Sequence, residues 1–348
     1  KDLICEKLKF VNPTNPACRI HKNKETQKYT QLPKSSPKSK TKMDSFDHLP
    51  DSLVLQIINY TSEVKALARL RSVSRRFNSL VPQAETLLLR VDWVVSPESD
   101  SESLLPAFFR AILRIFKLED APKANIPKAR TNHSPTQILS RFDRIRDLKM
   151  ELPSGDLKLE KGVSVKWRAE FGRTLKSCVI LGFREQEEEL AYFPNGLKTG
   201  VVWTISALIA ASARHFLLRD VVREHLELGQ LQLYDRESEG VVVMKEEGLR
   251  EFRVSNWGEE KNNTAFGVAG GNRTVVPGVR MRMRHIPRVS VGGSCVLRGT
   301  LIVVRPVGAP ETCSDSELAF RAFEDGAYGE AIGELLKCNS YLLEMNSF

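Results

Sequence analysis

The chemistry-bearing side chains of this chain are few, and their densest group is a run of arginines. Arg280, Arg282, Arg284 and Arg288 stand in V-R-M-R-M-R-H-I-P-R. On a strand, alternation sets the first three on one face and Met281 and Met283 on the other. Guanidinium forks on one face could grip an acidic segment, a phosphorylated peptide or a nucleic-acid backbone, because their paired N–H groups match carboxylate and phosphate oxygens. The same stripe could be the solvated outer face of a sheet, paired with acidic residues such as those at 185–189. No aromatic residue is interleaved with it, which argues against nucleic acid. Other groups are weaker still. Cys18 and His21 have a ligand-like spacing but cannot alone furnish a four-ligand zinc site. His215 and His225 lie ten apart on one expected helix, a spacing that does not bring both to one metal, so each is expected to be hydrogen-bonded or exposed. The glycines at 267–271 lack the lysine of a phosphate loop. There is no G-x-S-x-G, and none of the cysteines at 5, 18, 178, 295, 313 and 338 has the neighbourhood of an activated thiolate. These residues point away from an enzyme and imply no cofactor or metal.

Charge narrows the partners further. The 348 residues carry a formal charge of +9. Residues 1–42 hold eleven Lys and Arg against three Asp and Glu, so nearly all of the excess sits in a Pro/Lys/Ser-rich head without hydrophobic period. That head is expected to be disordered, with Met43 as the expected native start; the alternative is a basic tail that meets acidic surfaces or serves nuclear import. The body is close to neutral, which removes most of the hint of nucleic acid. No Cys-x-x-Cys pair suggests a disulfide scaffold. The most apolar window, 201–213, is too short for a bilayer. A reducing compartment, nucleus or cytosol, and no membrane insertion are the expectation.

The elements that must position these groups read as follows. Residues 86–95 form a strand that opens a second domain, followed by the acidic S-P-E-S-D-S-E-S; 104–118 form a basic amphipathic helix and 121–134 a loop. Strands are expected at 145–152, 163–170 and 175–183. A long helix over 199–228 should bury Val202, Ile205, Ile209, Phe216, Val221 and Leu228. A hairpin joins 231–234 to 241–244, and a short helix covers 246–252. Strands follow at 279–286 and 295–304. Ser314 and Glu317 make a capping box for a final helix reaching Lys337, and 341–345 close the chain as a strand. Strands, a long helix, more strands and another helix describe an α+β domain on a mixed, mostly antiparallel sheet. No repeat of 20–50 residues is visible.

Ahead of this domain, residues 46–81 are a helical segment of which about half is apolar, too many side chains for so short a piece to bury by itself. Pro50 suits a helix start. Leu53 and Ile57, with Val54 and Ile58, give a broad apolar face over about two turns. Ser62 can cap a second helix carrying Val64, Leu67 and Leu70. A third carries Val73, Phe77, Leu80 and Val81, leaving Arg69, Arg71, Arg75 and Arg76 outside. The surplus calls for a protein partner, unless the helices are wedged against the rest of the chain.

Leu49-Pro50, Leu53, Ile57-Ile58, Val64-Lys65 with Leu67, and Val73-Ser74-Arg75-Arg76-Phe77 resemble, in order and spacing, the F-box, a three-helix module (46–85 here) that binds the Skp adaptor of Skp–cullin–F-box ubiquitin ligases. Gln56, Thr61 and Phe77 depart modestly from that pattern. The segments W-R-A-E-F-G at 167–172, L-K-S-C-V-I-L-G at 175–182, V-V-W-T-I-S-A-L-I-A-A-S-A-R-H at 201–215 and the terminal Y-L-L-E-M-N-S-F resemble the plant auxin-up-regulated F-box subgroup. The resemblance implies a non-catalytic substrate receptor linked to auxin responses, nuclear or cytoplasmic, with a Skp adaptor, through it a cullin, and a protein substrate as partners. It assigns Leu49, Pro50, Leu53, Ile57, Leu67 and Val73 to adaptor docking, with Leu67 and Val73 also candidates for holding the module together. Arg280, Arg282 and Arg284 are the candidate substrate- or anion-binding residues. An anionic-ligand or nucleic-acid binder using that stripe, or an F-box scaffold that delivers no target, are the alternatives.

Overall fold

The computed structural model describes residues 45–91, 135–152, 157, 159, 161–185, 194–254, 273–291, 295–310, 313–323 and 328–348. The expectations for residues 1–42, for the helix at 104–118, for the loop at 121–134 and for the glycines at 267–271 lie outside them. Its strands are β1 (Thr86–Arg90), β2 (Asp147–Leu152), β3 (Val163–Phe171), β4 (Leu175–Glu185), β5 (Gln230–Asp235), β6 (Gly240–Lys245), β7 (Val279–Val291), β8 (Cys295–Pro306) and β9 (Ser340–Met345). Its helices are α1 (Asp51–Thr61), α2 (Val64–Arg71), α3 (Arg75–Leu80), α4 (Pro135–Leu139), α5 (Pro194–Leu217), α6 (Arg219–Glu224), α7 (Glu246–Val254), α8 (Asp315–Ala322) and α9 (Gly329–Lys337).

All nine strands join one sheet in the order β1-β2-β5-β6-β3-β4-β8-β7-β9. Neighbours are antiparallel except β1–β2, β2–β5 and β3–β6. Burial separates the sheet into two halves. In β2 and β5 every second residue is buried and the next only half-buried, so one face meets the core and the other is open. β4 and β8 are buried on both faces: Cys178, Ile180, Ile302 and Val304 enter the larger core with α5, while Val179, Leu181, Leu301 and Val303 enter a smaller one with α8 and α9. That double burial is why V-I-L-G-F and L-I-V-V read as continuous apolar runs rather than alternations.

The three front helices belong to the larger core. Val54, Ile58, Val64, Leu67, Leu80 and Val81 pack in the same cluster as Leu87 and Leu89 of β1 and Leu148 and Met150 of β2. The Asn59 side-chain oxygen accepts from the backbone N–H groups of Glu85 and Thr86 at 2.9 and 3.4 Å. The Leu88 N–H donates to the Ser62 carbonyl at 2.8 Å, so the α1–α2 connection occupies the outer edge of β1. Leu49–Phe348 is accordingly one compact unit, and the boundary expected at Thr86 falls inside it.

Some local expectations change. Ser62 ends α1 in the left-handed region with φ of 50°, and Glu63, not Ser62, precedes α2. Arg76 is turned inward, paired with Asp51 and donating to the Leu49 carbonyl, which ties α3 to the start of α1. The long helix breaks at Leu218 into α5 and α6, and the final helix is two, α8 and α9, with the Ser314 capping box at the first. Val202 and Ile205 are exposed, whereas every residue from Ala210 to Leu218 is buried. A helix embedded on all sides has no single apolar stripe for a period to reveal. The span Gly196–Glu224 is longer than the apolar window and has the length and composition to cross a membrane; about two thirds of its most apolar stretch is instead buried within the protein.

Candidate functional site

The surplus of apolar residues in the front helices divides by face. Val54 and Ile58 point into the core, and one position earlier Leu53 and Ile57 stand 43 and 44 % exposed, with Tyr60 one turn on at 93 %. Spacings of four and three put these three on one side of α1. Val73, between α2 and α3, is 68 % exposed, Leu49 is half-buried and Pro50 is exposed. Leu67 is the exception among the six expected docking residues. It is fully buried in the core, because α2 packs that side against β1, and it holds the module together rather than offering a contact. The structure thus gathers Leu53 and Ile57 into one exposed apolar surface at the front of the molecule.

The arginine stripe is placed differently from an open cationic face. Alternation holds, with Met281 and Met283 buried against the larger core. On the other face Arg282, Arg284 and Arg305 converge on the single carboxylate of Asp315 at 3.0, 3.5 and 3.1 Å, and Arg280 pairs with Glu344 of β9 at 3.1 Å. Asp315 is the first residue of α8, where a carboxylate also meets the positive end of the helix. The stripe therefore clamps α8 onto β7 and β8, and Arg284 keeps only 13 % side-chain exposure. Of the expected counter-charges at 185–189, positions 186–189 lie outside the described residues, and Glu185 forms no ion pair with the stripe. Arg288 is exposed in the irregularity of β7 between Ile286 and Val289.

Two buried polar groups have structural partners. His215 lies between Phe171, stacked at 4.3 Å, and the edge of Phe252. Its Nε2–H donates to the Gly172 carbonyl at 3.1 Å, so Nδ1 accepts from the Thr274 hydroxyl at 2.7 Å. Burial pushes this imidazole down to about 3, against the smaller opposing effect of the bond to Gly172. It is a neutral core histidine. Arg214, fully buried in α5, pairs with fully buried Asp235 at 2.8 Å and lies over the Trp167 ring at 4.9 Å. Cys178 is buried in β4, and burial pushes its thiol up to about 12, the opposite of an activated nucleophile. Among the described residues no group of three or more His, Cys, Asp or Glu is arranged to hold a metal ion.

Sequence reasoning missed a concavity of about 270 Å³ on the open half of the sheet. Lys149 of β2, Lys166 and Arg168 of β3 and Tyr234 of β5 form its floor, and Phe323 and Tyr328, at the end of α8 and the start of α9, form its wall. Lys166 Nζ is held by the carbonyls of Glu237 and Ser238 and lies 5.9 Å from the centre of the Tyr328 ring. The alternation of D-L-K-M-E-L and V-S-V-K-W-R-A-E-F signalled which residues face outward. It carried no sign that the two strands would lie close enough, across β5 and β6, to share a cavity.

Comparison with known proteins adds the following. Residues 46–87 match the F-box-like family. The chain is 49 % identical over 322 residues to the F-box protein AUF2 of Arabidopsis thaliana, covering 88 % of this chain and 100 % of that protein. It is 45 % identical over 337 residues to the F-box protein AUF1 of the same plant, with the same coverage. No solved structure matches.

Proposed function

Because the chain belongs to the F-box proteins, in the group of AUF1 and AUF2, we propose that it docks on a Skp adaptor, and through it on a cullin, and presents a target protein for ubiquitination. The observation that carries this is the exposed apolar side of α1, where Leu53 and Ile57 face solvent while Val54 and Ile58 beside them are buried. Fully burying such a side chain is worth about 1.5–3 kcal/mol, and more than two fifths of each of these two still faces solvent. Leu49, Pro50 and Val73 are the other solvent-reaching residues assigned to docking. The chain makes no bond itself; its contribution is proximity, raising the effective concentration of target lysines near a charged conjugating enzyme held by other subunits. A link to auxin responses and residence in the nucleus or cytoplasm complete the reading, with no membrane insertion and no nucleic acid.

The test is co-purification of the chain with a plant Skp adaptor at low and high salt. Apolar docking predicts binding that survives high salt and is lost in Leu53→Asp/Ile57→Asp, with far-ultraviolet circular dichroism checking that the variant folds; Leu49→Ala/Pro50→Ala should weaken it too. Wild-type retention of the adaptor by the aspartate pair would refute the docking face. An anion-binding role for the arginine stripe is disfavoured by its engagement with Asp315 and Glu344. Target turnover on depletion of the protein separates a delivering receptor from a scaffold.

A further inference from the structure

The target must be held somewhere other than α1, and the described part of the sheet offers a surface that no described helix covers. α8 and α9 cover only the β4, β8 and β7 part of their face. Beside them, over β2, β5, β6 and β3, no described helix covers the same face, and the concavity lies where this part meets the α8–α9 wall. We propose that this concavity is the target-recognition site of the receptor and that it takes an acidic peptide segment carrying an apolar or aromatic side chain. The proposal rests on the receptor reading above and supplies the substrate chemistry that it lacks.

Charge is the first argument. Lys149, Lys166 and Arg168 line the cavity, and among the described residues no carboxylate does. Of the acidic residues on the same sheet face, Glu151 is engaged with Arg90 and Arg236 and Glu170 with Lys245 and Arg321, while Asp147, two positions before Lys149, makes no ion pair among the described residues. Lys149 has no ion-pair partner among the described residues. A cationic, partly dehydrated recess of this kind strengthens a bond to an anion well beyond its value in open water. Donors are the second argument. The Tyr234 and Tyr328 hydroxyls make no hydrogen bond to another described residue, and burial pushes both phenols up, so they stay protonated and able to donate. Shape is the third. About 270 Å³ holds one or two side chains, not a folded partner, and the Phe323 and Tyr328 rings, 6.3 Å apart and edge to face, suit an apolar or aromatic residue next to the acidic one.

The experiment uses the full chain bound to its Skp adaptor and selects from a random dodecapeptide library. The best enriched peptide is then labelled with fluorescein and titrated by anisotropy, in versions with glutamate, glutamine or phosphoserine at its acidic positions. A fifteen-residue oligouridylate serves as the nucleic-acid arm. The expected result is enrichment of acidic sequences, loss of binding with glutamine, and weakening by about tenfold in Lys149→Glu, with a smaller loss in Tyr328→Phe. The glutamate and phosphoserine versions tell which anion is preferred. Enrichment without acidic residues, undiminished binding by Lys149→Glu, or binding of the oligouridylate in place of peptide would overturn the proposal. Adaptor co-purification of the same variants keeps the two readings apart: Lys149→Glu should lose peptide and retain adaptor, and Leu53→Asp/Ile57→Asp the reverse.

Discussion

Replacing Arg214 by methionine should be among the most damaging single changes in the larger core. Both partners of the Arg214–Asp235 pair are fully buried. One guanidinium nitrogen donates to Asp235 at 2.8 Å and another to the Gly240 carbonyl, and the group lies over Trp167. Asp235 also accepts from the backbone N–H groups of Glu239 and Gly240, each at 2.8 Å, so it organises the β5–β6 turn as well as pairing with α5. In Arg214→Met the methionine fills much of the volume, but the carboxylate is left buried with two backbone donors and no counter-charge. Stranding one member of such a pair costs about 3–5 kcal/mol. Asp235→Asn strands the guanidinium instead while keeping one acceptor for the turn, and should cost a similar amount. With both substitutions no charge is stranded, so the double variant should be more stable than the sum of the single losses by about 2 kcal/mol. Urea denaturation followed by Trp fluorescence and far-ultraviolet circular dichroism measures all four corners of the cycle. A loss below about 1 kcal/mol for Arg214→Met, or additivity within about 0.5 kcal/mol, would refute the account of a coupled buried pair.

Gly248→Ala offers a test of sign. An alanine within α7 gains about 1 kcal/mol in helix propensity, but its Cβ would lie 2.4 Å from the Phe171 carbonyl oxygen, a backbone atom that cannot swing aside. The overlap should prevail, giving a net loss of about 1–3 kcal/mol in urea denaturation. His215 predicts an acid limb. The folded imidazole titrates near 3 and the unfolded one near 6.5, so its contribution is complete above pH 6.5 and drains away as pH falls towards 3. The slope approaches about 1.4 kcal/mol per pH unit, and stability measured from pH 7 to 4 should flatten in His215→Gln. Cys178, buried and with its thiol held up to about 12, should resist iodoacetamide at pH 8 in the native protein and react once urea is added.

Much of the architecture was legible in short-range pattern. Proline at a helix start, period-two alternation at β2 and β3, the polar turn between β5 and β6 and the Ser314–Glu317 capping box depend on neighbours a few residues apart, and each began an element of the expected type, although the helix capped by Ser314 ends at Ala322 and not at Lys337. The Leu49-Pro50, Leu53, Ile57-Ile58 and Val73–Phe77 spacing pointed to the F-box in the same way, because the order of side chains on three short helices is itself local. What no window of residues contained was which faces meet. Leu67 and Leu53 have the same composition and helical surroundings, yet one is sealed against β1 and the other faces solvent. The arginines of β7 read as either an anion-binding face or an outer face paired with acidic residues, and only the packing of α8 supplies the partner, Asp315, some thirty residues on. Val202 and Ile205 read as core on a helix whose embedded half lies further along. Lys149 and Lys166 line one cavity although β5 and β6 lie between their strands. Periodicity fixes where a side chain points relative to its own element; burial, ion pairing and concavity are properties of pairs of elements, and tertiary packing alone decides those pairs.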